Sequence, residues 1–233
     1  MTLQKTQVAI KKAKASKALG PDQISTLHLK HLGPIGLQYL IDIFNISLDT
    51  STILAIWKSS IIVPLLKPKK PPEVSTSYRP VSLLCPAIKI LERLLLPSLI
   101  DHLPVPDIQH GFRARRSTVT ALHDLTQSIA GGFNEKKPPN RTLLLQIYLS
   151  KAFDMVSHEK LLKDLNNTSL PDHLKRWFNC YLHGQQSKVN FRNQTSTSRN
   201  IHTGVPQVSS LFQLLSLQTA NHPSEHQANT IRQ

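Results

Sequence analysis

Leu37, Leu40, Ile41, Phe44 and Leu48 recur at the three-to-four spacing of one helix face, which predicts an amphipathic helix with a buried stripe. Residues 87–103 return to that rhythm through Ile88, Leu91, Leu94 and Leu95. Pro97 is expected to kink or break this second helix, because it removes an intrahelical hydrogen bond. Shorter helical patterns occupy residues 158–165 and 174–182. Near the start, Gly20, Pro21 and Asp22 punctuate a basic stretch, and Asp22 is placed to cap a helix carrying Ile24, Leu27 and Leu32 on its apolar side.

Two segments have strand character. SSIIVPLLKPKKPP, residues 59–72, is a β-branched run ending in lysines and prolines, so it reads as a strand entering an exposed basic loop. Its Pro64 places that strand at a sheet edge or a bulge. LLLQIYL, residues 143–149, is nearly unbroken apolar sequence of strand length, as expected of a central strand covered on both faces. The preceding GGFNEKKPPNR, residues 131–141, forms the clearest internal loop. From Leu217 onward the chain is polar without a period and is expected to be disordered or loosely attached. The whole predicts an α+β chain without the repeats of a solenoid.

Composition narrows the class. Of the 233 residues, 39% are hydrophobic, enough for a packed core, and 28 Lys+Arg against 14 Asp+Glu leave a formal net charge of +14. Basic residues are spread through the chain, which favours a polyanionic partner over a merely soluble basic protein. Cys85 and Cys180 form no CxxC pair and no disulfide framework, so a reducing, intracellular compartment, nucleus or cytoplasm, is expected. No apolar run reaches the roughly 20 residues of a membrane span, and the first residues lack a secretory core. The 11 histidines show no HExxH or finger-like spacing, and no GxxxxGK[ST] loop occurs, so zinc and P-loop chemistry are unsupported. Nothing in the chain points to an oligomer.

Five strings then fall in a telling order: KASKALGPDQIS at 14–25, WKSSIIVPLLKPKK at 57–70, SYRPVSLL at 77–84, QHGFRARRST at 109–118 and LSKAFDMVSHEKL at 149–161. A sixth, HTGVPQ, follows at 202–207. Each alone is weak. Together they resemble the fingers and palm of non-LTR (LINE/Jockey-like) retrotransposon reverse transcriptases over nearly the whole chain. The resemblance implies helical fingers in residues 1–56 and 57–142, a partial palm in 143–216 and a tail in 217–233, with thumb and catalytic hairpin absent. It also implies an ancestral RNA-directed DNA synthesis from dNTPs on an RNA template or RNA/DNA hybrid, with Mg²⁺.

Such polymerases hold two cations on carboxylates, because Mg²⁺ takes oxygen ligands and the paired ions activate the primer hydroxyl and stabilise charge on the phosphate. In a family pattern like hDLSKAFD the first carboxylate is an Asp; here the string is IYLSKAFD and Tyr148 stands in that place. A phenol with a pKa near 10 is neutral at pH 7 and a poor substitute. Asp154 lies six residues on, about 20 Å away if the chain is extended, and reads as a helix cap, not a metal ligand. No two Asp residues are adjacent anywhere. Beyond GVPQ, Val208, Phe212 and Gln213 also depart from the family's GSVLSP text. The chain is therefore expected to be catalytically inactive.

Binding features survive better. By resemblance, Lys67 and Arg79 would meet the triphosphate, Phe153 would be the gate beneath the sugar, and Gln207 would contact the nucleotide. For any single lysine a solvated loop is the competing reading, and for Phe153 an ordinary core position. Arg113, Arg115 and Arg116, with the hydroxyls of Ser117 and Thr118, form the best nucleic-acid patch, since guanidinium and hydroxyl groups both reach phosphate oxygens. The alternatives are a non-catalytic nucleic-acid-binding remnant of a retroelement, or an unstable pseudogene product.

Overall fold

The computed structural model describes residues 1–103, 106–134, 141–147 and 153–206. Its elements are α1 (Leu3–Lys12), α2 (Thr26–Lys30), α3 (Pro34–Thr50), β1 (Ser59–Leu66), β2 (Tyr78–Leu83), α4 (Pro86–His102), α5 (Thr118–Phe133), α6 (His158–Asn166), α7 (Asp172–Leu182), β3 (Gln186–Phe191), β4 (Gln194–Thr195) and β5 (Arg199–Asn200). This is the mixed α+β content that the two hydrophobic periods predict. The chain divides into two compact units, Met1–Leu103 with Phe153–Gln233, and Pro104–Ala152.

In the larger unit the predicted stripe of α3 is buried at all five positions. Pro34 starts this helix, where a missing N–H costs nothing. The expected cap at Asp22 is not observed. Ser25 caps α2, its Oγ accepting from the His28 N–H at 3.4 Å while His28 Nδ1 accepts from the Ser25 N–H at 3.0 Å. Asp22 is taken up earlier, its carboxylate accepting from the Ile24 N–H at 3.1 Å in the turn that begins at Gly20. Only glycine fits there: a Cβ on Gly20 would lie 2.9 Å from both Cys85 Cα and the Leu84 carbonyl oxygen. The GPD turn is thus pressed onto the start of α4.

α4 runs on through Pro97, so the proline does not break the helix. Ile88 and Leu91 before the proline and Leu99 after it are fully buried. Each such side chain contributes roughly 1.5–3 kcal/mol, which outweighs a proline cost of about 3 kcal/mol.

β1 is the sheet's middle strand, antiparallel to β2 and parallel to β3 in the order β2-β1-β3-β4, with β5 also on β3. Pro64 lies opposite Pro80, and the parallel ladder ends at Ile62↔Val189. The ring therefore occupies a local edge inside a central strand, a position where no ladder donor is needed. Strands β3 to β5 escaped the hydrophobic pattern, because their side chains are mostly exposed on both faces and pairing with β1 defines them.

The smaller unit overturns two expectations. α5 extends to Phe133, so Gly131 and Gly132 belong to a helix and not to a loop. Residues 143–147 form no strand: Leu143 is 93% exposed and Ile147 75% exposed. An apolar run becomes a central strand only where neighbours offer free backbone edges, and among the described residues of this unit no strand does. Leu149 and residues 217–233 lie outside the described residues.

The core of the larger unit is built on α7. Trp177, Phe178 and Tyr181 are fully buried, with the Trp177 ring centroid 5.2 Å from Phe178 and 5.1 Å from Tyr181. Two polar handles tie this aromatic stripe to other helices. Trp177 Nε1–H donates to Ser47 Oγ on α3 at 3.0 Å, and the Tyr181 hydroxyl donates to Glu92 Oε1 on α4 at 2.9 Å. Burial pushes the Tyr181 phenol well above its usual range.

Replacing Tyr181 by Phe removes that bond from a buried acid, and urea unfolding should show a loss of roughly 1–3 kcal/mol with an unchanged m-value. Cys85, whose thiol donates to the Ile56 carbonyl oxygen, has its pKa pushed up to about 12, chiefly by burial. A raised pKa means its stabilising contribution is complete below the ordinary 9.0 and is lost as pH rises from there to about 12. A thiol reagent at mildly alkaline pH should accordingly leave Cys85 intact until urea unfolds the chain.

Candidate nucleotide and nucleic-acid interface

Two segments far apart in sequence meet through their main chains. Residues 153–155 form a turn, and the Val205 N–H donates to the Phe153 carbonyl while the Gly204 N–H donates to that of Val156, each at 2.8 Å. Ser157 and Thr203 form an isolated antiparallel bridge beside them. His158 Nε2–H closes the junction by donating to the Gly204 carbonyl at 2.7 Å. Gly204 has φ +89, and a Cβ there would lie 2.9 Å from the Asp154 carbonyl oxygen. Both conformation and space therefore demand glycine.

The junction corrects two readings. Phe153 is half-buried in a turn and not in the core. Asp154 is not the cap of α6; Ser157 Oγ fills that role, accepting from the Lys160 N–H at 3.3 Å. Asp154 instead lines a cavity of about 210 Å³ together with His158, Gly204, Ser60, Pro80 and Ser82.

The β1–β2 hairpin places the other nucleotide candidates. Arg79 is exposed and lies opposite Leu65, and the bond from the Lys67 N–H to the Ser77 carbonyl extends the register one step. Strand alternation then puts Lys67 and Arg79 on one face of the hairpin. Lys67 Nζ also donates to the Thr76 carbonyl at 2.9 Å. Pro80 and Ser82 alternate to the opposite face, toward the Asp154 cavity, and Arg79 does not line it. The structure thus brings Lys67 and Arg79 together, and Phe153 to GVP, without bringing the two pairs into one cavity. Gln207 and Tyr148 lie outside the described residues.

In the smaller unit Ser117 caps α5. Its Oγ accepts from the Thr120 N–H at 3.3 Å, and Thr120 Oγ1 accepts from the Ser117 N–H at 2.9 Å. Thr118 is the first helical residue. Arg113 donates to the Pro106 carbonyl at 2.8 Å and lies 3.6 Å from Asp107; Arg116 lies 3.7 Å from Asp124, which His110 Nε2 also approaches at 3.2 Å. Arg115 is exposed at φ 63 and has no ion pair among the described residues. The three guanidiniums are therefore not equivalent: two have acidic neighbours. Exposed pairs of this kind are worth roughly 0–1 kcal/mol, so a phosphate can displace them.

Residues 67–231, more than half of the chain, match the family model for reverse transcriptase (RNA-dependent DNA polymerase). The chain belongs to the reverse transcriptase family. It is 36% identical over 220 residues, 92% of its length, to the probable RNA-directed DNA polymerase from transposon BS of Drosophila melanogaster, of which it covers 24%. Against the corresponding X-element protein of the same fly it is 35% identical over 86% of its length, covering 22% of that protein. It is 32% identical over 97% of its length to the RNA-directed DNA polymerase from mobile element jockey of Drosophila funebris, covering 25% of it. This is a reverse transcriptase domain of the jockey-like, non-LTR retrotransposon type, and it spans about a quarter of the length of these relatives.

Reverse transcriptases use Mg²⁺, so the junction can be tested as a metal site. One carboxylate, Asp154, lines its cavity, His158 has committed Nε2 to a carbonyl, and no group of three ligating side chains occurs among the described residues. Two Mg²⁺ ions need several carboxylate oxygens, and these residues do not supply them.

Sequence reading passed over His158, Asp107, Asp124 and His110. His158 was visible only as a helix start, and the pairings of the other three carry no periodic signal. Changing Gly204 to Ala should force the turn apart and lower stability by roughly 1–3 kcal/mol, read as a lower thermal midpoint; a change to Pro80 at the cavity's far wall should cost less.

Proposed function

We propose that this chain is the fingers and part of the palm of a non-LTR retrotransposon reverse transcriptase that binds nucleic acid and nucleotide but, as it stands, does not polymerise. The fingers are assigned to residues 1–142, the partial palm to 143–216 and a tail to 217–233. The observation that carries the reading is Tyr148, which occupies the Asp position of an otherwise intact SKAFD string. A neutral phenol cannot stand in for a carboxylate at a two-cation centre. Nothing in the Asp154 cavity compensates.

What remains suits binding. Lys67 and Arg79 share a hairpin face on which a triphosphate would find a guanidinium fork and an ammonium together. Phe153, held by Val205, and Gln207, which follows the junction, would meet sugar and base. Arg113, Arg115, Arg116, Ser117 and Thr118 would hold the backbone of an RNA template or RNA/DNA hybrid, with Arg115 free to do so at once and its neighbours after leaving Asp107 and Asp124. This favours, as second reading, a non-catalytic binding remnant inside the cell. No helix among the described residues is long and apolar enough to cross a membrane.

Incubated with a primed RNA template, dNTPs and Mg²⁺ or Mn²⁺, the purified chain should leave the primer unextended; processive incorporation would falsify the inactive assignment. In a gel shift titrated with salt, Arg115→Ala should lower the log–log salt slope by about 1, the signature of one lost phosphate contact. An unchanged slope would remove this patch from the interface.

A further inference from the structure

A second cavity of the larger unit, about 340 Å³, is lined by Lys14, Lys89 and Arg93, with Glu92 as the one acidic side chain on its wall. It lies between residues 13–20, the β2–α4 junction and the first turns of α4. Glu92 is buried and already accepts the Tyr181 hydroxyl. No hydrogen bond from the Lys89 ammonium occurs among the described residues, and burial lowers its pKa from the ordinary 10.5 even though Glu92, Cys85 and Asp22 pull the other way. Arg93 is steadied by donating to the Ala9 carbonyl at 3.3 Å.

Three cationic side chains line one partly enclosed space, where an anion is attracted more strongly than it would be in open water. Leu19, Leu83, Ile90 and Leu96 supply apolar wall, so an occupant with an uncharged body fits better than a bare ion. Lys67, Arg79 and Phe153 do not line this space, and it shares Ser82 alone with the Asp154 cavity.

We infer that this cavity is a phosphate-binding site for a nucleotide unit, carried by a free nucleotide or by a polynucleotide. Lys89 is the inner phosphate ligand, Arg93 the fixed fork on the wall and Lys14, which is exposed, the closing contact at the mouth. The site is independent of polymerase activity.

Binding of two probes to the full chain tests it: pyrophosphate by calorimetry and a labelled oligouridylate by anisotropy. Lys89→Gln should weaken pyrophosphate binding about tenfold, as expected for a lost charge-assisted hydrogen bond. Lys163→Gln, which removes one charge from α6, should change it by less than about twofold. Weakening of both probes assigns the site to a polynucleotide, and weakening of pyrophosphate alone assigns it to a free nucleotide. Equal effects of the two substitutions, or none, overturn the site. Should Lys89→Gln not melt cooperatively, the exposed Lys14→Gln is compared with Lys163→Gln by the same criterion and decides the matter.

Discussion

The larger unit depends on how α7 reconciles an aromatic stripe with two polar atoms that must be buried with it. Trp177 and Tyr181 bring the largest apolar surfaces of the core, yet each carries a donor that would be costly to bury without an acceptor. Ser47 and Glu92 supply those acceptors from α3 and α4. The same bonds that satisfy the donors also fix which turn of each helix faces α7. Hydrophobic burial drives the packing, and the two hydrogen bonds select its register.

From that frame follows the position of the junction between Phe153 and Val205. Val156 and Val205 are buried, and α6, which packs against α7, begins at the junction's bridge. Because most of the contacts are made by main-chain N–H and carbonyl groups, the arrangement is insensitive to most side-chain changes; the exceptions are Gly204, where any Cβ meets Asp154, and His158, whose ring donates to the Gly204 carbonyl.

Charge is distributed by a different logic. The net charge of +14 sets a long-range attraction for polyanions, but local pairing decides which cations are immediately available. Asp107 and Asp124 sit beside Arg113 and Arg116, whereas Arg115 projects into solvent. Lys89 is the opposite case, a desolvated ammonium whose lowered pKa reports confinement. Similar residues in one chain thus differ in readiness by environment alone.

Periodicity and motif text determined much by themselves. The α3 stripe, the α6 and α7 spans, the β1 strand and the reverse transcriptase family were all legible, because helix period and ordered short strings are local properties. Tertiary structure decided the rest. Pro97 stays inside α4 because burial on both sides exceeds a proline's local cost, β3 exists because β1 offers it an edge, and residues 143–147 are no strand because none is offered. Ser25 displaces Asp22 as a cap, and Gly20 and Gly204 are required by backbones more than 40 residues away. Sequence records what each segment prefers; whether the preference is met depends on which distant atoms arrive beside it.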